Sequence, residues 1–212
     1  MSPFCACISH IPWVLYPLMR IFIVLVHPKP DSFNAALCAA LCDGLHEAGH
    51  EADVADLYAE GFDPVLRGPE LDALALSRPP RQVADCQQRI LRAHALAFIF
   101  PVWWFGAPAM LKGFVDRVFR EDFAFRFTSS GHVRGLLLHE KALVVCTTGM
   151  TGSLYRLFHF GRPLEKTFDA WTLKSCGVQQ VKRVVLHDVV NADEATRAGY
   201  LDQVRRLGRK YF

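Results

Sequence analysis

The sequence predicts an α/β fold, a doubly wound parallel sheet of five strands in the order 2-1-3-4-5, on three observations. Short apolar runs recur along the chain, IFIVLV at Ile21–Val26, ALAFIF at Ala95–Phe100 and ALVVC at Ala142–Cys146. Runs of that length, apolar at every position, suit strands buried on both faces, as in a parallel sheet. Segments with helical spacing separate the strands, and that alternation gives a parallel sheet covered by helices. Finally, aromatic, hydroxyl and glycine residues gather directly after strands, at the carboxyl edge where open α/β sheets bind ligands.

Each element has its own warrant. Ile21–Val26 is a central strand, followed by HPKPDSFN and a helix from about Ser32 to Ala48 that Gly49 ends. Glu51–Leu57 reads as the second strand and Tyr58–Pro80 as a long excursion with four prolines. A helix over Gln82–Arg92 leads into the third strand, Ala95–Phe100. That strand stops at Pro101, runs into the aromatic loop Val102–Gly106, and Pro108 opens a helix with Leu111, Phe114, Val115 and Val118 on its apolar side. Phe123–Phe127 alternates like a short edge strand or hairpin. Ala142–Cys146 is the fourth buried strand, Pro163–Ser175 a helix, Val181–Leu186 the fifth strand and Asp193–Tyr211 an amphipathic closing helix.

With 212 residues, 51% apolar and 21% charged, the chain is long enough for one domain with a proper core, and is neither disordered nor membrane-spanning in composition. A net charge of +3 with scattered Lys and Arg gives no reason to expect nucleic acid. Seven cysteines without CxxC or zinc spacing read as reduced, mostly buried thiols of a cytoplasmic protein, with no metal site. Residues 1–18, MSPFCACISHIPWVLYPL, lack a basic n-region and are broken by prolines, so they fit neither a signal peptide nor an anchor. The expectation is a leader over residues 1–19, disordered or a misassigned start, before a domain over residues 20–212.

Three stretches can carry chemistry. His27–Asn34 runs from a strand into a helix start, where unpaired N–H groups, the Ser32 hydroxyl and the Asn34 amide make a phosphate cradle; an ordinary N-cap by Asp31 or Ser32 is the plainer reading. Val102, Trp103, Trp104 and Phe105 offer flat faces to a planar ring, or else form a satellite hydrophobic cluster. Neighbours in an extended chain point opposite ways, so Trp103 and Trp104 cannot both fill one core. Thr147–Ser153 is a donor-rich loop, neither a Walker A loop nor GxGxxG, so ATP and direct dinucleotide binding are disfavoured. Beyond it, Tyr155 and His159 lie four apart, on one face if the segment is helical, able to steady negative charge or relay a proton, or simply structural.

The sequence resembles the NAD(P)H:quinone oxidoreductase family, the DT-diaphorase-like enzymes among the flavodoxin-like NAD(P)H dehydrogenases. The likeness covers Ile21 to about Asp188. It rests on HPxxxSFN at His27–Asn34, DLYAEGFDPVL at Asp56–Leu66, FPVWWFGAPAMLKGFVDRVF at Phe100–Phe119 and TTGMTGSLY at Thr147–Tyr155. The resemblance implies a flavodoxin-like, flavin-binding domain. FAD, or alternatively FMN, would be held at its phosphates by His27, Ser32, Phe33 and Asn34, and at its ring by Pro101, Val102, Trp103, Trp104, Phe105, Thr147, Thr148, Gly149 and Met150. It further implies a homodimer and a ping-pong reaction in which NADPH or NADH gives a hydride and a quinone takes two electrons from the same space. Tyr155 matches the family's charge-stabilising tyrosine, and His159 is the nearest candidate for its histidine.

Several residues depart from the family. Met150 replaces the second loop glycine and narrows the approach to the flavin edge. Phe125 and Phe127 stand where the animal enzymes carry substrate-pocket tyrosines, so the acceptor pocket is expected to be more apolar. The resemblance also leaves an alternative, a regulatory ancillary flavoprotein subunit of a potassium-efflux transporter.

Overall fold

A computed structural model of the chain describes residues 18–72 and 79–212. In chain order the elements are β1 (Arg20–Leu25), α1 (Phe33–Glu47), β2 (Glu51–Asp56), α2 (Gly68–Asp72), α3 (Arg81–Arg92), β3 (Ala95–Pro101), α4 (Ala109–Val118), β4 (Phe125–Phe127) and β5 (Val133–Gly135). There follow β6 (Lys141–Thr147), α5 (Gly152–Leu157), α6 (Arg162–Leu164), a π-helix (Glu165–Lys174), β7 (Gln180–Leu186) and α7 (Glu194–Lys210). Five strands form one sheet in the order β2-β1-β3-β6-β7, all neighbours parallel, which is the expected 2-1-3-4-5 order. The Phe123–Phe127 segment becomes one arm of an antiparallel hairpin, β4 with β5.

Side chains divide between two cores strictly by strand parity. On β1, Ile21, Ile23 and Leu25 join Leu37 and Leu41 of α1 and Val204 of α7, while Phe22, Val24 and Val26 join Val83 of α3, Phe114 of α4 and Phe168 of the π-helix. β3 and β6 split the same way, with Phe98, Phe100, Val144 and Cys146 on the second side. Both faces are therefore apolar, which is why the runs show no alternation in sequence. Helices α1 and α7 cross where neither has a side chain: a Cβ on Gly44 would overlap the Arg205 carbonyl oxygen, and one on Gly208 would lie 2.6 Å from that of Leu41.

Two regions differ from expectation. The Pro163–Ser175 helix is a single α turn followed by ten residues of π-helix. π winding pairs residues five apart, and Phe168 and Leu173, five apart, both reach the core. The Tyr58–Pro80 excursion contains α2, and its described part is clamped to α4 by a buried Arg117–Glu70 ion pair at 2.9 Å and by Phe62 against Phe114, centroids 5.5 Å apart.

Of the expected leader, residues 1–17 lie outside the described residues, and so do Cys5 and Cys7. The other five cysteines are unbridged, and four of them are buried. Among the described residues, no helix is long and apolar enough to cross a membrane, and no group of three His, Cys, Asp or Glu side chains is placed to hold a metal ion.

Candidate functional site

Direct hydrogen bonds tie together the carboxyl ends of three central strands. Val26 N–H donates to the Ile99 carbonyl at 2.9 Å, and Val102 N–H to that of Thr147 at 2.8 Å, so the loops after β1, β3 and β6 emerge side by side. The Thr147 hydroxyl then reaches across to donate to Oδ1 of Asn34 in α1, at 2.9 Å and buried.

At the start of α1, Ser32 is an N-cap: its Oγ accepts the Ala35 N–H at 3.2 Å. Its hydroxyl is thus engaged in the plainer of the two roles. A helix start still presents N–H groups with no partner in the helix, together with the positive end of its dipole. Asn34 is 3% exposed, and while its Oδ1 is satisfied, its Nδ2 has no partner among the described residues. His27 is half-buried, and its Nδ1 lies 3.1 Å from the Lys29 backbone nitrogen and 3.3 Å from the Lys29 carbonyl oxygen, so the loop itself holds that side of the ring. Phe33 turns away: its ring lies 6.5 Å from that of Tyr200, with the Arg197 guanidinium 5.5 Å over it, so only its backbone faces the cradle.

The aromatic loop is a tight turn. Trp103 and Gly106 exchange both backbone hydrogen bonds, 3.1 and 3.0 Å, and the two residues between, Trp104 and Phe105, have φ of +49° and +62°. Positive φ at both central positions is the signature of a type I′ turn, which normally uses Asn and Gly. Trp104 is 95% exposed, Trp103 leans toward His27 with centroids 6.1 Å apart, and Phe105 stacks on Phe160 at 4.3 Å. Neither tryptophan is in the core. Strained, exposed aromatic backbone of this kind marks functional loops.

Thr147 and Thr148 are buried, and Thr148 Oγ1 accepts the Met150 N–H at 3.1 Å. The loop is strapped to the end of β7 by Asp188 N–H to the Met150 carbonyl, 3.0 Å, and Val189 N–H to that of Thr148, 3.1 Å. Gly149 is exposed, and Met150 stands half-buried beside it.

Tyr155 and His159 do not share a helical face. α5 ends at Leu157, and His159 follows at φ +55°, exposed. Tyr155 is 6% exposed, packs against Gly161, and meets His187 edge to face with ring centroids 5.0 Å apart. Burial pushes the Tyr155 phenol above its ordinary pKa, while the Arg183 charge opposes the shift. Arg183 is held by Asp169, Nε to Oδ2 at 2.7 Å, and touches Cys146 Sγ at 3.3 Å. Burial pushes the Cys146 thiol up to about 12, so it stays protonated. His187 and the Arg183–Asp169 pair were not singled out from sequence. A histidine directly after the fifth strand, as His27 is after the first, was the signal available.

Phe125 and Phe127 are not brought to this rim by their own chain. Their rings lie 5.6 Å apart on the hairpin, which continues into Leu136 and Leu137 and is pinned at Leu137 N–H to the Cys176 carbonyl, 2.8 Å, before the amino end of β7.

A doubly wound parallel sheet with a helix start, an exposed aromatic turn and a hydroxyl-rich loop at one rim has the architecture in which open α/β proteins bind ligands. Residues 19–207 match the family model described as "Flavodoxin-like fold", and the chain belongs to that family. It is 36% identical over 157 residues to NAD(P)H dehydrogenase (quinone) 1 of Cavia porcellus, an alignment covering 66% of this chain and 57% of that enzyme. The chain thus spans less than two thirds of that relative. It is 28% identical over 185 residues to an uncharacterized NAD(P)H oxidoreductase of Haemophilus influenzae, covering 87% and 91%. The solved NAD(P)H:quinone oxidoreductase from Methanothermobacter marburgensis superposes with a TM-score of 0.86 at 32% identity, covering 92% of this chain and all of that one.

Proposed function

We propose that the chain is a flavin-dependent NAD(P)H dehydrogenase acting on quinones or related acceptors by a ping-pong, two-electron route. The observation that carries the reading is the buried Asn34 Nδ2, which has no partner among the described residues and lies at the start of α1 where the three loops meet. A buried amide donor without an acceptor costs about 1–3 kcal/mol, and a nucleotide bound at the rim would satisfy it. The residues present fit a flavin. His27, Ser32, Phe33 and Asn34 would bind its phosphates, chiefly through backbone N–H groups and the His27 and Asn34 side chains. Pro101, Val102, Trp103, Trp104 and Phe105 would wall one side of the ring, and Thr147, Thr148, Gly149 and Met150 would hold its polar edge.

A bound flavin supplies the two-electron carrier that no amino-acid side chain provides. The chain's own part is to bind, orient and exclude water, with the Tyr155 hydroxyl beneath the loop as a charge-steadying donor. FAD is the first choice and FMN the alternative, with NADPH or NADH as donor. Because a chain's own Phe125 and Phe127 point elsewhere, they would line the acceptor pocket of a second copy, which makes the working unit a homodimer. A cytoplasmic location accords with the unbridged cysteines. No observation favours the transporter-subunit alternative.

The test is the absorbance spectrum of the purified protein, followed by anaerobic NADPH or NADH. Flavin bands that bleach on mixing are expected, and heat release with chromatography then separates FAD from FMN. A colourless chain that takes up neither flavin would overturn the reading.

A further inference from the structure

Two buried polar atoms at the rim have no partner among the described residues and sit on touching side chains: the Tyr155 hydroxyl and Nδ1 of His187. Their rings meet edge to face at 5.0 Å and 60°. Unsatisfied buried groups are few in any protein and call for an explanation. Two in contact, at the end of a strand beside a ligand loop, mark a place built for a charge that comes and goes. We propose that His187, and not His159, is the proton-taking partner of Tyr155. The inference rests on the flavin reading above and names the residue that regulates charge at that site.

The ring is held from several sides. The His187 carbonyl accepts the Tyr200 hydroxyl at 2.9 Å. A Cβ on Gly152 would lie 3.1 Å from His187 Cδ2, and one on Gly161 2.9 Å from Tyr155 Cε1, so glycines let the backbone press directly on both rings. His187 also lines a groove of about 270 Å³, shared with Asp188, Asn191, Asp193 and Thr196. The charged and titratable groups facing the pair are Arg156 and Tyr155 from α5, Asp188 beside His187, and Asp193 and Tyr200 from the α7 side. Behind Tyr155 stand Cys146 of β6 and Arg183 of β7 with its Asp169. Burial first, then the Arg156 charge, hold His187 below the usual histidine pKa, so its ring is neutral and able to accept a proton.

The balance is simple. A hydride from NADPH or NADH brings two electrons and one proton, and leaves one net negative charge at the site. His187 takes one proton from solvent against that charge, with Tyr155 between. When the hydride passes to a quinone the proton leaves too, so the quinone gains two electrons and two protons and His187 returns to neutral. His187 acts through Tyr155 and is a positioning residue. His159, outside α5 and exposed, has no such contact with Tyr155.

The test uses the full chain reconstituted with FMN or FAD, binding being confirmed first by fluorescence. The midpoint potential of the bound flavin is then measured from about pH 5 to about pH 9 in wild type, His187→Asn and His159→Asn, the span in which histidines titrate. A break in slope is expected in wild type and His159→Asn and is lost in His187→Asn, with flavin affinity kept within about threefold. A break that survives His187→Asn, that vanishes in His159→Asn, or that is missing from wild type overturns the assignment while leaving the flavin reading intact. Failure of wild type to bind either flavin sinks both. Should His187→Asn not fold, imidazole NMR of the wild-type protein decides. The His187 midpoint must rise by about one unit or more on reduction, a tenfold change in proton affinity, and an unmoved midpoint overturns the proposal.

Discussion

Trp104 and Phe105 occupy backbone positions that favour asparagine and glycine, and nothing in the core requires them to. Left-handed φ costs an ordinary residue roughly 1–2 kcal/mol, and a side chain 95% exposed recovers none of that by burial. Trp104→Asn is therefore expected to stabilise the chain by about 1 kcal/mol in urea unfolding, since asparagine tolerates this conformation. The same change removes an aromatic wall, so flavin affinity, read by fluorescence titration, is expected to fall about tenfold or more, in line with the 1–3 kcal/mol typical of ring stacking. Equal or lower stability would mean that Trp104 is held by contacts with its own loop. At this scale, sequence was informative about which loops matter and poor about which atoms do. Ser32 was legible both as cap and as ligand, and only the 3.2 Å bond to Ala35 N–H shows the cap. The four-residue spacing of His159 from Tyr155 has meaning only inside a helix, and α5 stops two residues short. His187, 32 positions from Tyr155 in sequence, becomes its neighbour only through the pairing of β6 with β7.

Elements were more legible than residues, because the period of apolar positions reports directly on burial. The three central strands follow from the runs IFIVLV, ALAFIF and ALVVC, apolar on both faces, while the more polar edge strands β2 and β7 and the sheet order follow from the alternation of strands with helical segments. The π-helix was not legible: its i, i+5 contacts blur into an α pattern over ten residues, and Asp169 looks like a surface residue until Arg183 is placed opposite it. The tight crossing of α1 and α7 was likewise hidden, since a mid-helix glycine reads only as a weak helix former. Gly44→Ala tests it. Helix propensity alone predicts a gain of about 1 kcal/mol. The added Cβ, however, meets the Arg205 backbone oxygen, which cannot swing aside, and overpacking of this kind typically costs about 1–3 kcal/mol. A net loss of stability, seen as a lower denaturation midpoint with unchanged m-value, is expected. A gain would show that α7 slides on α1 at little cost.

Across the whole molecule, three histidines share one electrostatic character. His50, His139 and His187 are all held below the usual histidine pKa, in each case first by burial; Lys141 adds to this at His50, His94 at His139 and Arg156 at His187. The folded state therefore refuses protons that the unfolded chain accepts once the pH falls below about 6.5. Stability from these groups is fully present above that pH and is lost as acid rises, the opposite of a histidine that gains a carboxylate. His139 and His50 are each 6% exposed, and at His139 Nε2 donates to the Ile90 carbonyl at 2.9 Å while Nδ1 is unpartnered among the described residues. His139 by itself can contribute a slope of up to about 1.4 kcal/mol per pH unit, and the half-buried His187 adds less because water screens it. Urea unfolding between about pH 7 and about pH 5 is expected to show falling stability, in a window above that of the carboxylates Asp63 and Asp193, whose lowered pKa values confine their losses to stronger acid. His139→Gln keeps an amide donor for Ile90 and removes the titration, so its stability profile should be flatter than that of the wild type by about one proton. A His139→Gln profile parallel to the wild type would mean that His139 is charged in the folded chain and that the acid sensitivity resides elsewhere.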